Sequence, residues 1–287
     1  MGKFHSNGKD RAKLDDWFRS PVLDQIEELT FDDGQMRSLP TSALCLAPML
    51  RVAKFRNCHF PPLNDAPALI LPRLKHLELV VVCLSKGDME RLLRGCTTLE
   101  YLRLQAINGL SIFHITSMTF RTIYVCCWFM DLSVVYTNDP VWVEHSIHIM
   151  ELLLAEEKYK VVGFDLEYTR APAGSRPKVV VAQMCMRHHV LVYHYCVAIK
   201  PCEHFSRFVN SPHYMFATVD ITNDVKALEN LGIACQNLVD IQGQYKIRGS
   251  KEHEKDSLVH LAEAIIDPYY RDMKDSCNKD KRAWHSA

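Results

Sequence analysis

Residues 158–172, KYKVVGFDLEYTRAP, pass through a mostly apolar segment into a turn and set Asp165 and Glu167 two positions apart within it. In an extended strand the side chains alternate, so Val162, Phe164, Leu166 and Tyr168 form one apolar face and the two acids share the other. Same-face neighbours lie roughly 7 Å apart, and at an effective dielectric of about 20 two such charges repel by about 2 kcal/mol. A divalent cation held by carboxylate oxygens relieves that repulsion, which is how two-metal phosphoryl-transfer sites are built. A strand whose polar face simply meets water explains the same pair, so the surrounding chain has to decide.

Downstream, KVVVAQMCM (178–186) and HVLVYHY (189–195) are β-rich runs joined by the turn-forming TRAPAGSRP and the tight RHH, which predicts an antiparallel meander with His188 and His189 in its second turn. Upstream, DPVWVEHSIHIMELLLAEEKY (139–159) has helical spacing. Beyond the meander come a short helix at CEHFSRFVN, a strand at YMFATV and a helix at TNDVKALENLGI, with Thr222 as cap, Val225, Leu228 and Leu231 on one face and Gly232 at the stop. Asp224 falls in the first turn of that helix, where the helix dipole alone would favour an acid.

This order of elements resembles the DEDD family of 3′-to-5′ exonucleases, on the ribonuclease H-like fold of ribonuclease D and the Werner-syndrome exonuclease domain. VVGFDLEYT resembles the first exonuclease block, VVVAQMCM with Gln183 the strand that follows, and FATVDITNDVKALENLGI the second block. NLVDIQGQY, with Asp240, and DSLVHLAEAII continue the family's order over about residues 130–287. The resemblance implies a two-metal site for Mg²⁺ or Mn²⁺ in which Asp165 bridges both ions, Glu167 holds the first and Asp224 the second. It implies a nucleic-acid 3′ end, DNA or RNA, as substrate.

The family's third block, Tyr-x-x-x-Asp or a histidine counterpart, has no match: none of Asp240, Asp256, Asp267, Asp272, Asp275 and Asp280 has Tyr or His four residues before it. Tyr270 precedes Asp275 by five. Trp284 resembles the tryptophan ahead of that block, so the domain is expected to lack its last helices and to be a weak or inactive nuclease. The alternative is a catalytically inactive module that binds nucleic acid or a protein.

The first half has a different period. IEELTF (26–31), LRVAKF (50–55), LKHLEL (74–79) and LEYLRL (99–104) begin 24, 24 and 25 residues apart, each with apolar groups at relative positions 1, 4 and 6. That is the strand of a leucine-rich repeat, and Met89, Leu92 and Leu93 ahead of Gly95 predict a helix between the last two strands. Stacking in one parallel sheet follows, because one repeat cannot bury its apolar face alone. LPTSALCLAPMLRVAKFRNCHFPP and LPRLKHLELVVVCLSKGDMERLLRGCTTLEYLRL resemble the repeats of plant F-box proteins, which implies a protein partner on this segment. The polar first 20 residues contain no F-box and are expected to fray.

The expected fold class is therefore α/β, with a polar tail at 1–20, a leucine-rich-repeat segment at 21–117 and a ribonuclease H-like exonuclease domain at 118–287. The longest apolar run, IYVCCWFM (123–130), is far short of the ~20 residues that span a bilayer and reads as a buried strand. Thirty-four basic and 34 acidic residues cancel, so nucleic-acid binding requires a local patch, for which Lys246, Arg248 and Lys251 are candidates. Eleven cysteines, an odd number with no C-x-x-C and no secretory signal, predict free thiols and an intracellular location, nucleus or cytoplasm. His145 and His148, three apart on a helix, have no supporting ligand in sequence and read as surface or core residues.

Overall fold

The leucines that recur through the first half lie in register. The computed structural model describes residues 3–4, 11–46, 48–63, 70–108, 119–127, 132–168, 178–198, 200–244 and 257–271, which form two compact units divided between Asp139 and Pro140.

The first unit comprises β1 (Lys3–Phe4), α1 (Arg11–Phe18), β2 (Glu28–Ser38), β3 (Val52–His59), β4 (His76–Cys83), α2 (Lys86–Gly95), β5 (Tyr101–Gln105), β6 (Thr122–Cys127) and β7 (Leu132–Thr137). Strands β1 to β6 pair parallel in chain order and β7 returns antiparallel to β6. Leu29, Ala53, Leu77 and Leu102 are register partners, as are Phe31, Phe55, Leu79 and Leu104, and all eight are buried. Leu50, Leu74 and Leu99, two residues ahead of their strands, are buried at equivalent positions.

The backbone repeats with the leucines. The N–H groups of Arg51 and Val52 donate to the Glu27 carbonyl, those of Lys75 and His76 to Arg51, and those of Glu100 and Tyr101 to Lys75. The same bonds then join Arg121 and Thr122 to Glu100, so β6 is a further repeat strand. Its leading residue is the buried Phe120, and a shorter step with phenylalanine in place of leucine hid it from the periodicity. The described part of IYVCCWFM is accordingly a half-buried repeat strand, and 128–130 lie outside the described residues. With β6 and β7 in the first unit, the division falls at 139/140 instead of 117/118.

The polar N-terminus also departs from expectation. In α1 Phe18 is buried, with Leu14 and Trp17 packed on the same core, and its ring lies 6.3 Å from Phe31. At α2, Ser85 accepts the Asp88 N–H at 3.1 Å as N-cap, and the buried Asp88 carboxylate accepts from Leu63 N at 2.8 Å and from the Ser85 hydroxyl at 2.5 Å.

The second unit comprises α3 (Pro140–Ala155), β8 (Val161–Tyr168), β9 (Val179–Met186), β10 (His189–His194), α4 (Glu203–Val209), β11 (Met215–Thr218), α5 (Ile221–Asn230), β12 (Leu238–Asp240), α6 (Ile241–Gln244) and α7 (Leu258–Ile265). Its strand order is β10-β9-β8-β11-β12, antiparallel through the expected meander and parallel from β8 to β12. Phe164 of β8, Phe216 of β11 and Phe208 of α4 meet edge to face at 5.6 to 5.8 Å.

His189 is the first residue of β10, not a turn residue. The two-residue hairpin places Arg187 at φ 51 and leaves His189 buried, bonded at 2.6 Å to the buried Ser146 hydroxyl of α3. Among the described residues no helix is long and apolar enough to cross a membrane, and the cysteines are free, with burial pushing Cys58 and Cys96 up to about 12.

Candidate functional site

Burial alternates along β8 as the opening stretch predicts: Val162, Phe164 and Leu166 are buried, and Asp165 and Glu167 are exposed on the other face. Asp165 pairs across the ladder with Gln183 and Glu167 with Val181. The register then slips between Glu167 and Tyr168, and a bulge of this kind re-aims the side chain that follows it. Tyr168, which strict alternation assigns to the apolar face, instead donates its hydroxyl to Oδ1 of Asp224.

Asp224 reaches this point from the far side of a strand-to-helix turn. Asp220, at φ 65, is the N-cap of α5, so Thr222 lies within the first turn instead of capping it. The left-handed residue turns the chain sharply from β11 into the helix, and the Asp220 carboxylate accepts from Asn223 Nδ2 at 2.8 Å. Asp224 is 3% exposed, and the buried Thr218 at the end of β11 donates to its Oδ2 at 2.5 Å. Both oxygens of this carboxylate are held by hydroxyl donors.

The acids share one electrostatic environment. Partial desolvation, followed by the charges of Asp224 and Glu167, pushes Asp165 up to about 6, although its side chain keeps contact with solvent. Burial also raises Asp224, against the lowering effect of Thr218 and Tyr168, with Asp220 and Asp240 adding repulsion. Desolvation, the bond to Asp224, and the charges of Asp224, Asp165 and Asp220 raise the Tyr168 phenol. Asp240 ends β12, opposite Thr218 in the ladder.

The charges of Asp224 and Glu167 thus both act on Asp165. Among the described residues, however, no three acidic, histidine or cysteine side chains already converge as ligands on one point. The donor set is nonetheless one of hard carboxylate oxygens under mutual repulsion, the chemistry that suits Mg²⁺ or Mn²⁺. Tyr168, Thr218 and Asp220 were not legible as part of this group, because the first depends on a bulge and the others on a turn. Lys246, Arg248, Lys251 and Trp284, and the aspartates 256, 272, 275 and 280, lie outside the described residues.

A family model described as a 3′-5′ exonuclease matches residues 140–285, and one described as "FBD-associated F-box protein At5g56370, LRR repeats" matches residues 14–173. Each spans more than half of the chain. The chain belongs to both families. The exonuclease match carries the two blocks around Asp165 and Asp224, and the repeat match carries β2 to β6 and extends into β8.

The solved structures similar to this exonuclease-family chain include Trypanosoma brucei RNase D in complex with RNA U12, at 14% identity and a TM-score of 0.40 over 53% of this chain and 52% of that one. Escherichia coli RNase D is 16% identical with a TM-score of 0.34, over 41% of this chain and 30% of that one. The EXD2 exonuclease domain soaked in Mn and GMP is 16% identical with a TM-score of 0.32, over 46% and 68%. The chain thus spans less than a third of the E. coli enzyme and about half of the trypanosome one. No curated protein matches it.

Proposed function

We propose that this chain removes nucleotides from the 3′ end of a nucleic acid with Mg²⁺ or Mn²⁺ held by Asp165, Glu167 and Asp224. The observation that carries the reading is the raised Asp165: an acid pushed up to about 6 by desolvation and by Asp224 and Glu167 is one whose ionised form a cation would favour. What such ions supply when bound is an activated water and charge compensation at the leaving 3′ oxygen. The chain's part is to set three carboxylates on two rigid elements, Asp165 and Glu167 on β8 and Asp224 on α5, and to orient Asp224 through Tyr168 and Thr218. The repeat sheet would meet a protein partner on its open face, where Lys54, Arg56, Tyr101 and Arg103 stand, and the free thiols suit an intracellular compartment.

A second reading is binding without cleavage. It is favoured by the hydroxyl donors that occupy both oxygens of Asp224. One experiment separates the two. A 5′-labelled single strand is incubated with Mn²⁺ and either the chain or its Asp165→Ala variant. Stepwise trimming lost in the variant supports the nuclease; retention of the strand without trimming by either protein supports the binder.

A further inference from the structure

The register of the repeat sheet breaks between β2 and β3. From Glu28 to Asp32 the two strands pair residue for residue, and they pair again from Arg37, opposite Cys58. In between, Asp33 to Met36 of β2 stand opposite the single Asn57. Where β3 meets β4 at the same level, one residue faces one, because Arg56 pairs with Val80 and Cys58 with Val82. The extra residues of β2 pass through left-handed conformations, at Gly34 with φ 64 and at Met36 with φ 56. Such a conformation is costly for a methionine and concentrates where a fold clamps a ligand.

The break borders a cavity of about 430 Å³, inside the range of about 300–1,000 Å³ that small molecules occupy. Leu14 of α1 and Phe31 and Met36 of β2 supply its apolar lining, and Arg37, Ser38 and His59 its exposed polar lining. Ser38 and His59 are register partners, so a hydroxyl and an imidazole stand side by side. Asp33 also lines the cavity, with a side chain only 3% exposed. Its Oδ2 accepts from the Arg37 backbone N at 2.7 Å and from Nε at 3.1 Å, and its Oδ1 lies 2.9 Å from Nη2. A carboxylate that takes two edges of the guanidinium fork fixes its plane, while the Arg37 side chain stays 33% exposed.

We propose that this cavity binds a small monocarboxylic acid with an apolar body, its carboxylate on Arg37, Ser38 and His59 and its body against Leu14, Phe31 and Met36. The charges of Asp33 and Arg37 cancel, so the cavity offers oriented donors with little net charge. That suits a single negative charge spread over two oxygens. A dianion such as a phosphate monoester would meet repulsion from the desolvated Asp33 carboxylate. Asp33 acts as a positioning residue, because it touches the ligand only through the guanidinium it orients. The site lies wholly in the repeat unit and does not depend on the nuclease reading.

The test is ligand-observed saturation-transfer NMR on the full chain with hydrocinnamate and hexanoate, compared with the neutral hydrocinnamamide and with phenylpropyl phosphate. A carboxylate should bind, and the amide and the phosphate at least about tenfold more weakly, as the loss of hydrogen bonds to a charged group predicts. Arg37→Lys keeps the charge beside Asp33 but loses the planar fork, and should weaken carboxylate binding at least about tenfold. Arg51→Gln, which removes an exposed guanidinium elsewhere in the unit, should leave it unchanged. Far-UV circular dichroism checks that each variant folds; if Arg37→Lys does not, the exposed His59→Gln decides, with a loss of about fivefold or more. Binding of neither carboxylate, equal binding of the amide or the phosphate, or full affinity in the deciding variant would overturn the assignment.

Discussion

The hydroxyl of Tyr168, the last residue of β8, donates to Asp224, 56 positions later in the first turn of α5, and Thr218 holds the second oxygen of the same carboxylate. A bulge on one side and a left-handed N-cap on the other bring the strand end and the helix start to one place. Hydrogen bonds to a charged group contribute about 1.5–3 kcal/mol. Tyr168→Phe should therefore lower the urea-unfolding free energy by about 2 kcal/mol, and unchanged stability would show that the bond does not form in solution.

Asp165 has the opposite sign. Desolvation and the charges of Asp224 and Glu167 push its carboxyl from the ordinary 3.8 up to about 6 in the fold, so ionisation is harder there than in the unfolded chain. The resulting destabilisation is absent below about pH 4, grows through the window up to about pH 6 and is complete above it. Asp165→Asn should stabilise the chain by about 1 kcal/mol at pH 7, after allowance for solvent screening of an exposed group. At pH 4 or below the two proteins should unfold alike.

In the repeat unit Glu78 is buried among His76 at 2.8 Å, Arg56 at 3.1 Å and Lys54 at 3.2 Å. The His76 hydrogen bond leads in lowering it from 4.5 to about 2 against the cost of burial. The stabilisation, about 3 kcal/mol, is present above pH 4.5 and is lost as pH falls toward 2. Glu78→Gln should flatten acid unfolding in that window and lower stability at pH 7, as breaking a buried ion cluster does.

His189 should stay neutral well into acid. Burial first, then the nearby His188 and His145, bring it down to about 4, so the stability that accompanies its neutral ring is present above about pH 6.5 and lost as pH falls toward 4. Ring-proton chemical shifts followed by NMR give the midpoint directly; a titration near 6.5 would contradict its burial against Ser146.

Leu77→Ala removes a fully buried side chain from the middle of the parallel stack. A loss of about 3–5 kcal/mol is expected in denaturant, whereas Val22→Ala, at an 83% exposed position, should stay within about 0.5 kcal/mol.

The sequence by itself determined what is periodic or contiguous. A step of 24 or 25 residues put Leu50, Leu74 and Leu99 in register because each repeat must cover its neighbour's apolar face. Alternation put Asp165 and Glu167 together because successive strand side chains point oppositely. The meander and the first-turn position of Asp224 followed from the same local rules. Only the tertiary structure decided the features that break a period or join distant segments. Phe120 continued the repeat at a shorter step, and the helix ending in Phe18 formed in a polar segment because the repeat core offered its aromatic ring a place to be buried. The bulge after Glu167 turned Tyr168 from the core to Asp224, which no alternation rule anticipates. His204 met Glu144 and Glu151 because α3 and α4 pack together, and that contact depends on the fold as a whole.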